Sequence, residues 1–157
     1  MSYSRWTHIA LATPALREAE ELYAALFGME VAFRETQTAD GWRTLRGGGW
    51  AQAQAAGIEP GLVQLRRDGI VLALEAAGPK PGAEDHPAER QDDSALSHIG
   101  IAVDAADLAA LRSRAPGLGC SIVTARDNLL IIDDRYGIRW EVSTASELRA
   151  TAPEPVA

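Results

Sequence analysis

The sequence predicts an α+β fold made of two βαβββ modules. Two internal echoes and one composition break support this. Thr7-His8-Ile9-Ala10-Leu11-Ala12 returns 90 residues later as Ser97-His98-Ile99-Gly100-Ile101-Ala102. Phe27-Gly28-Met29-Glu30-Val31 returns 91 residues later as Leu118-Gly119-Cys120-Ser121-Ile122, in nearly the same register. Between the copies, Gly78-Pro79-Lys80-Pro81-Gly82-Ala83-Glu84-Asp85-His86-Pro87 and Asp92-Asp93-Ser94 are rich in turn formers and charge and have no period, as expected of a solvated linker. Duplication explains both echoes at once. It divides the chain into a first module over residues 1–77 with an insertion at 40–60, a linker over 78–95, a second module over 96–143 and a frayed tail over 144–157.

In the first module, Thr13 is expected to cap a helix with Pro14 at its first position, where a missing N–H costs nothing. Leu16, Ala19, Tyr23, Leu26 and Phe27 recur on one face, and Gly28 ends the helix. Strands follow at Glu30 to Thr36, Leu62 to Arg66 and Ile70 to Ala76. The insertion, Asp40 to Pro60, contains Trp42, Gly47-Gly48-Gly49 and a short helical stretch at Trp50 to Ala56, and reads as an irregular flap or rim. In the second module Asp104 caps a helix that buries Leu108, Leu111 and Ala115 and stops at Pro116-Gly117. Strands are expected at Gly119 to Thr124, Asn128 to Ile132 and Ile138 to Ser143, the last two joined by a turn at Asp133 to Gly137. Cys120 is the one cysteine, so no intrachain disulfide can form, and it reads as a core residue.

Composition removes several function classes. With 15 Lys and Arg against 22 Asp and Glu the net charge is -7, and no basic run offers a phosphate-tracking surface. No apolar stretch is long enough to span a bilayer and the first residues lack a signal-peptide core, so a cytoplasmic protein with neither a nucleic-acid nor a membrane partner is expected.

Strand alternation assigns the chemistry, because residues two apart share a side. Ile9 and Leu11, Leu72 and Leu74, Ile99, Ile101 and Val103, and Ile138, Trp140 and Val142 form apolar sets suited to lie under the helices. The opposite sides carry His8, Ala10 and Ala12; Ala73 and Glu75; His98, Gly100 and Ala102; and Arg139, Glu141 and Ser143. Ionisable groups there sit beside small residues that leave space. A His on the first strand and a Glu on the last strand of each half would meet across a pseudo-twofold axis, so His8, Glu75, His98 and Glu141 are the expected ligands of one divalent ion. Two imidazoles and two carboxylates suit Zn, Ni, Co, Mn or Fe and leave positions for water or substrate oxygens. Glu75 lies six residues after Gly69 whereas Glu141 lies four after Gly137, a mismatch that keeps parity but not spacing. Arg139 shares the side of Glu141 and is a candidate clamp for an anionic substrate or a neutraliser of the carboxylates. Trp42 and Trp50 are candidate pocket-lining residues or anchors of the insertion, and His86, among prolines and acids, reads as solvent-exposed.

Thr7-His8-Ile9, Leu22-Tyr23, Phe27-Gly28-Met29-Glu30-Val31, Leu74-Glu75, Ser97-His98-Ile99 and Asp134-Arg135-Tyr136-Gly137-Ile138-Arg139-Trp140-Glu141 together resemble the vicinal oxygen chelate superfamily. That group includes glyoxalase I, methylmalonyl-CoA epimerase, extradiol dioxygenases, and fosfomycin- and bleomycin-resistance proteins. The turn before Glu141 departs from the superfamily's Asp-Pro-Asp-Gly pattern at Arg135 and Tyr136 but keeps the spacing from Gly137 to Glu141.

The resemblance implies an eight-stranded half-barrel sheet with helices on its convex face and a metal on the concave face, chelated by paired substrate oxygens. It implies homodimers, and it is closest to glyoxalase I in its ligand pattern, since dioxygenases and fosfomycin enzymes need only His8, His98 and Glu141. The leading activity is that of an isomerase or lyase in which the metal steadies an enediolate and Glu141 moves the proton. An extradiol-type dioxygenase and a bleomycin- or fosfomycin-type resistance or ligand-binding protein are the alternatives. A dioxygenase would want another acid–base His than His86, and a pure drug binder has no need of ligands.

Overall fold

A computed structural model of the chain describes residues 7–46, 48–77 and 97–144. The linker at 78–95, His86 within it, and the tail from 145 onward lie outside the described residues. The chain divides into two compact units, Met1–Asp85 and His86–Ala157.

The first unit runs β1 (Ile9–Thr13), α1 (Leu16–Phe27), β2 (Glu30–Thr38), β3 (Gly41–Arg46), α2 (Trp50–Ala55), β4 (Leu62–Arg67) and β5 (Ile70–Ala76). Its sheet has the order β1-β5-β4-β2-β3, with β1 parallel to β5 and the other pairs antiparallel. The second unit runs β6 (Ile99–Val103), α3 (Ala105–Arg114), a 3₁₀ turn (Pro116–Leu118), β7 (Ser121–Arg126), β8 (Leu129–Asp133) and β9 (Arg139–Thr144). Its sheet has the order β6-β9-β8-β7, again with the first strand parallel to the last. Both sheets are open, and the fold is α+β. The eight strands expected become nine among the described residues, because part of the insertion is a regular strand. Gly41–Arg46 pairs with an extended β2 from Phe33↔Arg46 to Thr38↔Gly41. The short helix of the insertion is present as α2.

The apolar stripe of α1 packs as its periodicity demands. Leu16, Ala19, Leu22, Tyr23, Leu26 and Phe27 are buried, as are Val63 and Leu65 of β4 and Leu72 and Leu74 of β5 on the sheet beneath. Gly28 ends the helix in the left-handed region at φ 65°, where a side chain would be strained. The start differs from expectation. Leu16 is the first helical residue, Thr13 belongs to β1, and the Thr13 hydroxyl accepts a hydrogen bond from the Ala15 N–H, bending the chain just ahead of the helix. In the second unit Asp104 caps α3 by accepting from the Asp107 N–H at 2.7 Å, and Leu108, Leu111 and Ala115 are buried, as expected. Leu130, Ile132, Trp140 and Val142 complete that core. Cys120 is buried too, and burial is the main cause that pushes its thiol pKa up, as befits a core residue.

Candidate metal centre

The two units present their His and Glu differently, and hydrogen-bond register decides how. In the second unit Gly100 of β6 faces Glu141 of β9. His98 precedes β6 by one residue and therefore lies two residues from the level of Glu141. Its Nε2 is 3.8 Å from Glu141 Oε2, with the two side chains 45% and 39% exposed. Space lies over this pair of strands, since a Cβ built on Gly100 would meet no atom within 4 Å.

In the first unit the same pairing sets Ala10 opposite Ala73, while Glu75 faces Ala12 two pairs further on. Ala73 thus occupies the position equivalent to Glu141, and Glu75 is displaced by two residues, about 7 Å along the strand. His8 precedes β1 by one residue, in the place His98 has before β6. Within each unit taken by itself, no three His, Cys, Asp or Glu side chains gather as a ligand set among the described residues.

Each histidine is held by the residue before it. Thr7 Oγ1 is 3.2 Å from His8 Nδ1, and Ser97 Oγ is 3.0 Å from His98 Nδ1. These hydroxyls were not singled out by sequence reasoning. The signal available was the hydroxyl residue immediately ahead of both histidines.

Arg139 is engaged elsewhere. It donates from Nε to Asp133 Oδ1 at 2.7 Å and from Nη2 to Asp133 Oδ2 at 2.8 Å, a two-point pair between residues directly opposite in β8 and β9. The hydrogen bond from Arg139 holds the Asp133 carboxyl below its ordinary pKa and raises that of Arg139 in return. The guanidinium two residues from Glu141 is thus turned to Asp133, while the Glu141 carboxylate has His98 within 3.8 Å.

The turn that delivers Glu141 is built on the buried Asp134. Its Oδ1 accepts from the N–H groups of Tyr136 and Ile138 at 2.9 and 3.0 Å, and its Oδ2 accepts from Trp140 Nε1 at 2.9 Å. Gly137 completes the turn at φ 81°. The first unit makes its equivalent connection with a two-residue hairpin, Asp68 at φ 47° and Gly69 at φ 83°, both left-handed as a type I′ turn requires.

Trp50 stands on the other side of the first sheet from Glu75. Arg34 faces Val63, and Val63 faces Leu74, all on the side that α1 covers. Arg34 is itself buried, bonds both carboxylate oxygens of Glu20 on α1, and has its guanidinium 5.4 Å from the centre of the Trp50 ring. The Trp50 ring thus packs against a buried guanidinium on the side that α1 covers. Trp42 pairs through its backbone with Gln37 in the β2–β3 hairpin, and its side chain lies outside the described set.

The family model described as the Glyoxalase/Bleomycin resistance protein/Dioxygenase superfamily matches residues 5–142. The chain belongs to that superfamily. All four candidate ligands fall within the matched span of this superfamily member. No curated protein matches it. Among solved structures it resembles the fosfomycin resistance protein FosX from Listeria monocytogenes at 12% identity, over 97% of this chain and 100% of that one, with a TM-score of 0.62. FosX from Mesorhizobium loti is similar at 17% identity over 95% and 99% of the two chains, with a TM-score of 0.57. Lactoylglutathione lyase from Agrobacterium tumefaciens is similar at 18% identity over 94% and 98%, with a TM-score of 0.53. At such identities the likeness is one of fold. One structure of the Listeria protein is a complex with Mn(II) and a sulfate ion. No helix among the described residues is long and apolar enough to cross a membrane.

Proposed function

We propose that this superfamily member is a divalent-metal-dependent enzyme acting on a small substrate with neighbouring oxygen atoms, and that it is an isomerase or lyase that moves a proton at carbon. The observation that carries the reading is the His98–Glu141 pair: an imidazole just ahead of β6 and a carboxylate on the parallel strand β9 beside it, partly exposed and 3.8 Å apart, with the arginine on β9 bound to Asp133. That donor chemistry fits a divalent ion such as Zn, Ni, Co, Mn or Fe. His98 and Glu141 would hold the ion, with His8 as the third ligand and Glu75 as the fourth. A bound ion would supply Lewis-acid polarisation of a substrate oxygen. Glu141 takes the proton from the substrate carbon on a carboxylate oxygen and returns it to the adjoining atom. Its neighbour Gly100 leaves room above the strand for the substrate. We assign the protein to the cytoplasm as a homodimer. The edge strand β7, which exposes Ile122 and Val123, supports association between chains.

A second reading is favoured by one observation. With Ala73 in the position equivalent to Glu141, the set reduces to His8, His98 and Glu141, the three that suffice for fosfomycin-type and extradiol-type chemistry in the superfamily. An anaerobic assay in D₂O separates the readings. Protein loaded with Ni(II), Zn(II), Mn(II) or Fe(II) is offered 2-oxoaldehyde–thiol adducts, acyl-CoA epimers, catechols and fosfomycin. Deuterium uptake at the substrate carbon without oxygen supports the isomerase. Epoxide opening of fosfomycin, or catechol turnover only on readmission of O₂, replaces it with the second reading.

A further inference from the structure

Both histidines carry the same local device. Thr7 and Ser97 stand immediately before His8 and His98, 90 residues apart in each case, and each places its hydroxyl oxygen on the Nδ1 of the following ring. Consecutive residues of a strand point to opposite faces, so such a contact does not belong to regular β structure. It is allowed here because residues 7–8 and 97–98 lie just ahead of β1 and β6 rather than inside them. Among the described residues no further hydrogen bond to either ring is seen, and in the second unit the other nitrogen, His98 Nε2, is the one on the side of Glu141.

A neutral imidazole has one N–H and one lone pair, and what one nitrogen bonds decides what the other can do. If the hydroxyl donated to Nδ1, Nε2 would carry the proton and could not ligate. If Nδ1–H donates to the hydroxyl oxygen, Nε2 keeps its lone pair.

We propose that Thr7 and Ser97 are positioning residues that accept a hydrogen bond from Nδ1–H of His8 and His98, fixing ring orientation and tautomer so that Nε2 of each is free for a metal ion. The proposal rests on the reading that these histidines are ligands, and it assigns the two halves a common supporting shell even though their glutamates differ. A hydroxyl in this place does what a carboxylate or backbone carbonyl does behind a metal-bound histidine elsewhere. Because both contacts are exposed to water, which competes for the same ring nitrogen, the effect belongs at the lower end of what such supporting groups contribute.

The test uses full-length protein labelled with ¹⁵N-histidine, stripped of metal and held near pH 8, where ordinary imidazoles are neutral. The chain has only three histidines, so long-range ¹H–¹⁵N spectra resolve each ring. The expected result is the Nδ1–H tautomer at His8 and His98, retained in Thr7→Ser and Ser97→Thr and shifted toward Nε2–H in Thr7→Ala and Ser97→Ala. Calorimetric titration with Mn(II), Zn(II) or Ni(II) should then show each alanine variant weakened about tenfold and the double variant more, with the Ser and Thr exchanges within about twofold of wild type. Wild-type protein in the Nε2–H form, or alanine variants that bind the ion as tightly as wild type, overturns this role and leaves the metal reading standing. Wild-type protein that takes up none of these ions overturns the metal reading, and the ligand-orienting role along with it.

Discussion

The two halves share a plan and differ in where they put their charge. In the second unit the acidic residue of the last strand sits beside the first strand at the level of Gly100, within 3.8 Å of His98. In the first unit that level holds Ala73, and the acid appears two residues later as Glu75. The first unit instead spends charge on its helix side, where Glu20 and Arg34 form a buried pair that the Trp50 ring covers. The second buries the carboxylate of Asp134, hydrogen-bonded to backbone N–H groups and to the Trp140 indole, in the turn that leads into β9. Duplication therefore preserved the strand pairing and the hydroxyl–histidine entry, which backbone geometry and a single side-chain contact define, while the halves diverged at positions where only a side chain is at stake.

The largest effect should come from the residue that makes the second unit different. Glu141→Gln is expected to lower turnover by about a thousandfold or more, as loss of a proton carrier does, while retaining part of the metal affinity. Steady-state kinetics with a parallel metal titration checks this. Glu75→Ala should cost less than about tenfold in affinity; equal losses at the two positions would erase the difference between the halves.

Next in size are the buried charges. Glu20→Ala strands the Arg34 guanidinium in the core of the first unit and should destabilise the fold by about 3–5 kcal/mol. Asp134→Ala removes the acceptor of two backbone N–H groups and of the Trp140 indole, and a loss of about 3 kcal/mol is expected. Urea denaturation reads both. A cost below about 1 kcal/mol for either would mean that the pair or the turn is not what holds its half together.

The smallest effect concerns the exposed pair. The Asp133 carboxyl is held below its ordinary pKa by Arg139, so whatever the pair adds is fully present above the unfolded value near 3.9 and is lost as pH falls through the lowered folded value. With both side chains at least a third exposed the contribution to stability is slight. Asp133→Asn should flatten the acid limb of a stability–pH curve only marginally. It also releases Arg139 toward Glu141, and a few-fold weaker metal affinity is the sharper readout.

Much of this was legible in the sequence, and the residues show why. The βαβββ order of the two modules, the helix stripes from Leu16 to Phe27 and from Leu108 to Ala115, the stop at Gly28 and the Asp104 cap all follow from local rules that act within a few residues. The mismatch between Gly69 to Glu75 and Gly137 to Glu141 was countable too, yet parity alone puts Glu75 and Glu141 on corresponding faces. Only the register of β1 against β5 and of β6 against β9 separates them by two residues. Glu20 lies within the apolar stripe of α1, a carboxylate that had to find a cation, but its partner is 14 residues away on β2 and no periodicity names it. The same holds for Trp50 and for Arg139. Whether an aromatic ring in an insertion faces a pocket or a buried guanidinium, and whether an arginine serves a substrate or the aspartate across the strand, depends on which chains lie side by side. The sequence by itself determined the duplicated α+β plan and the residue types able to bind a metal, because these are written in local pattern and composition. Tertiary structure alone decided register and pairing, because a shift of two residues keeps every side chain on its face and leaves every local preference satisfied while moving a carboxylate by about 7 Å.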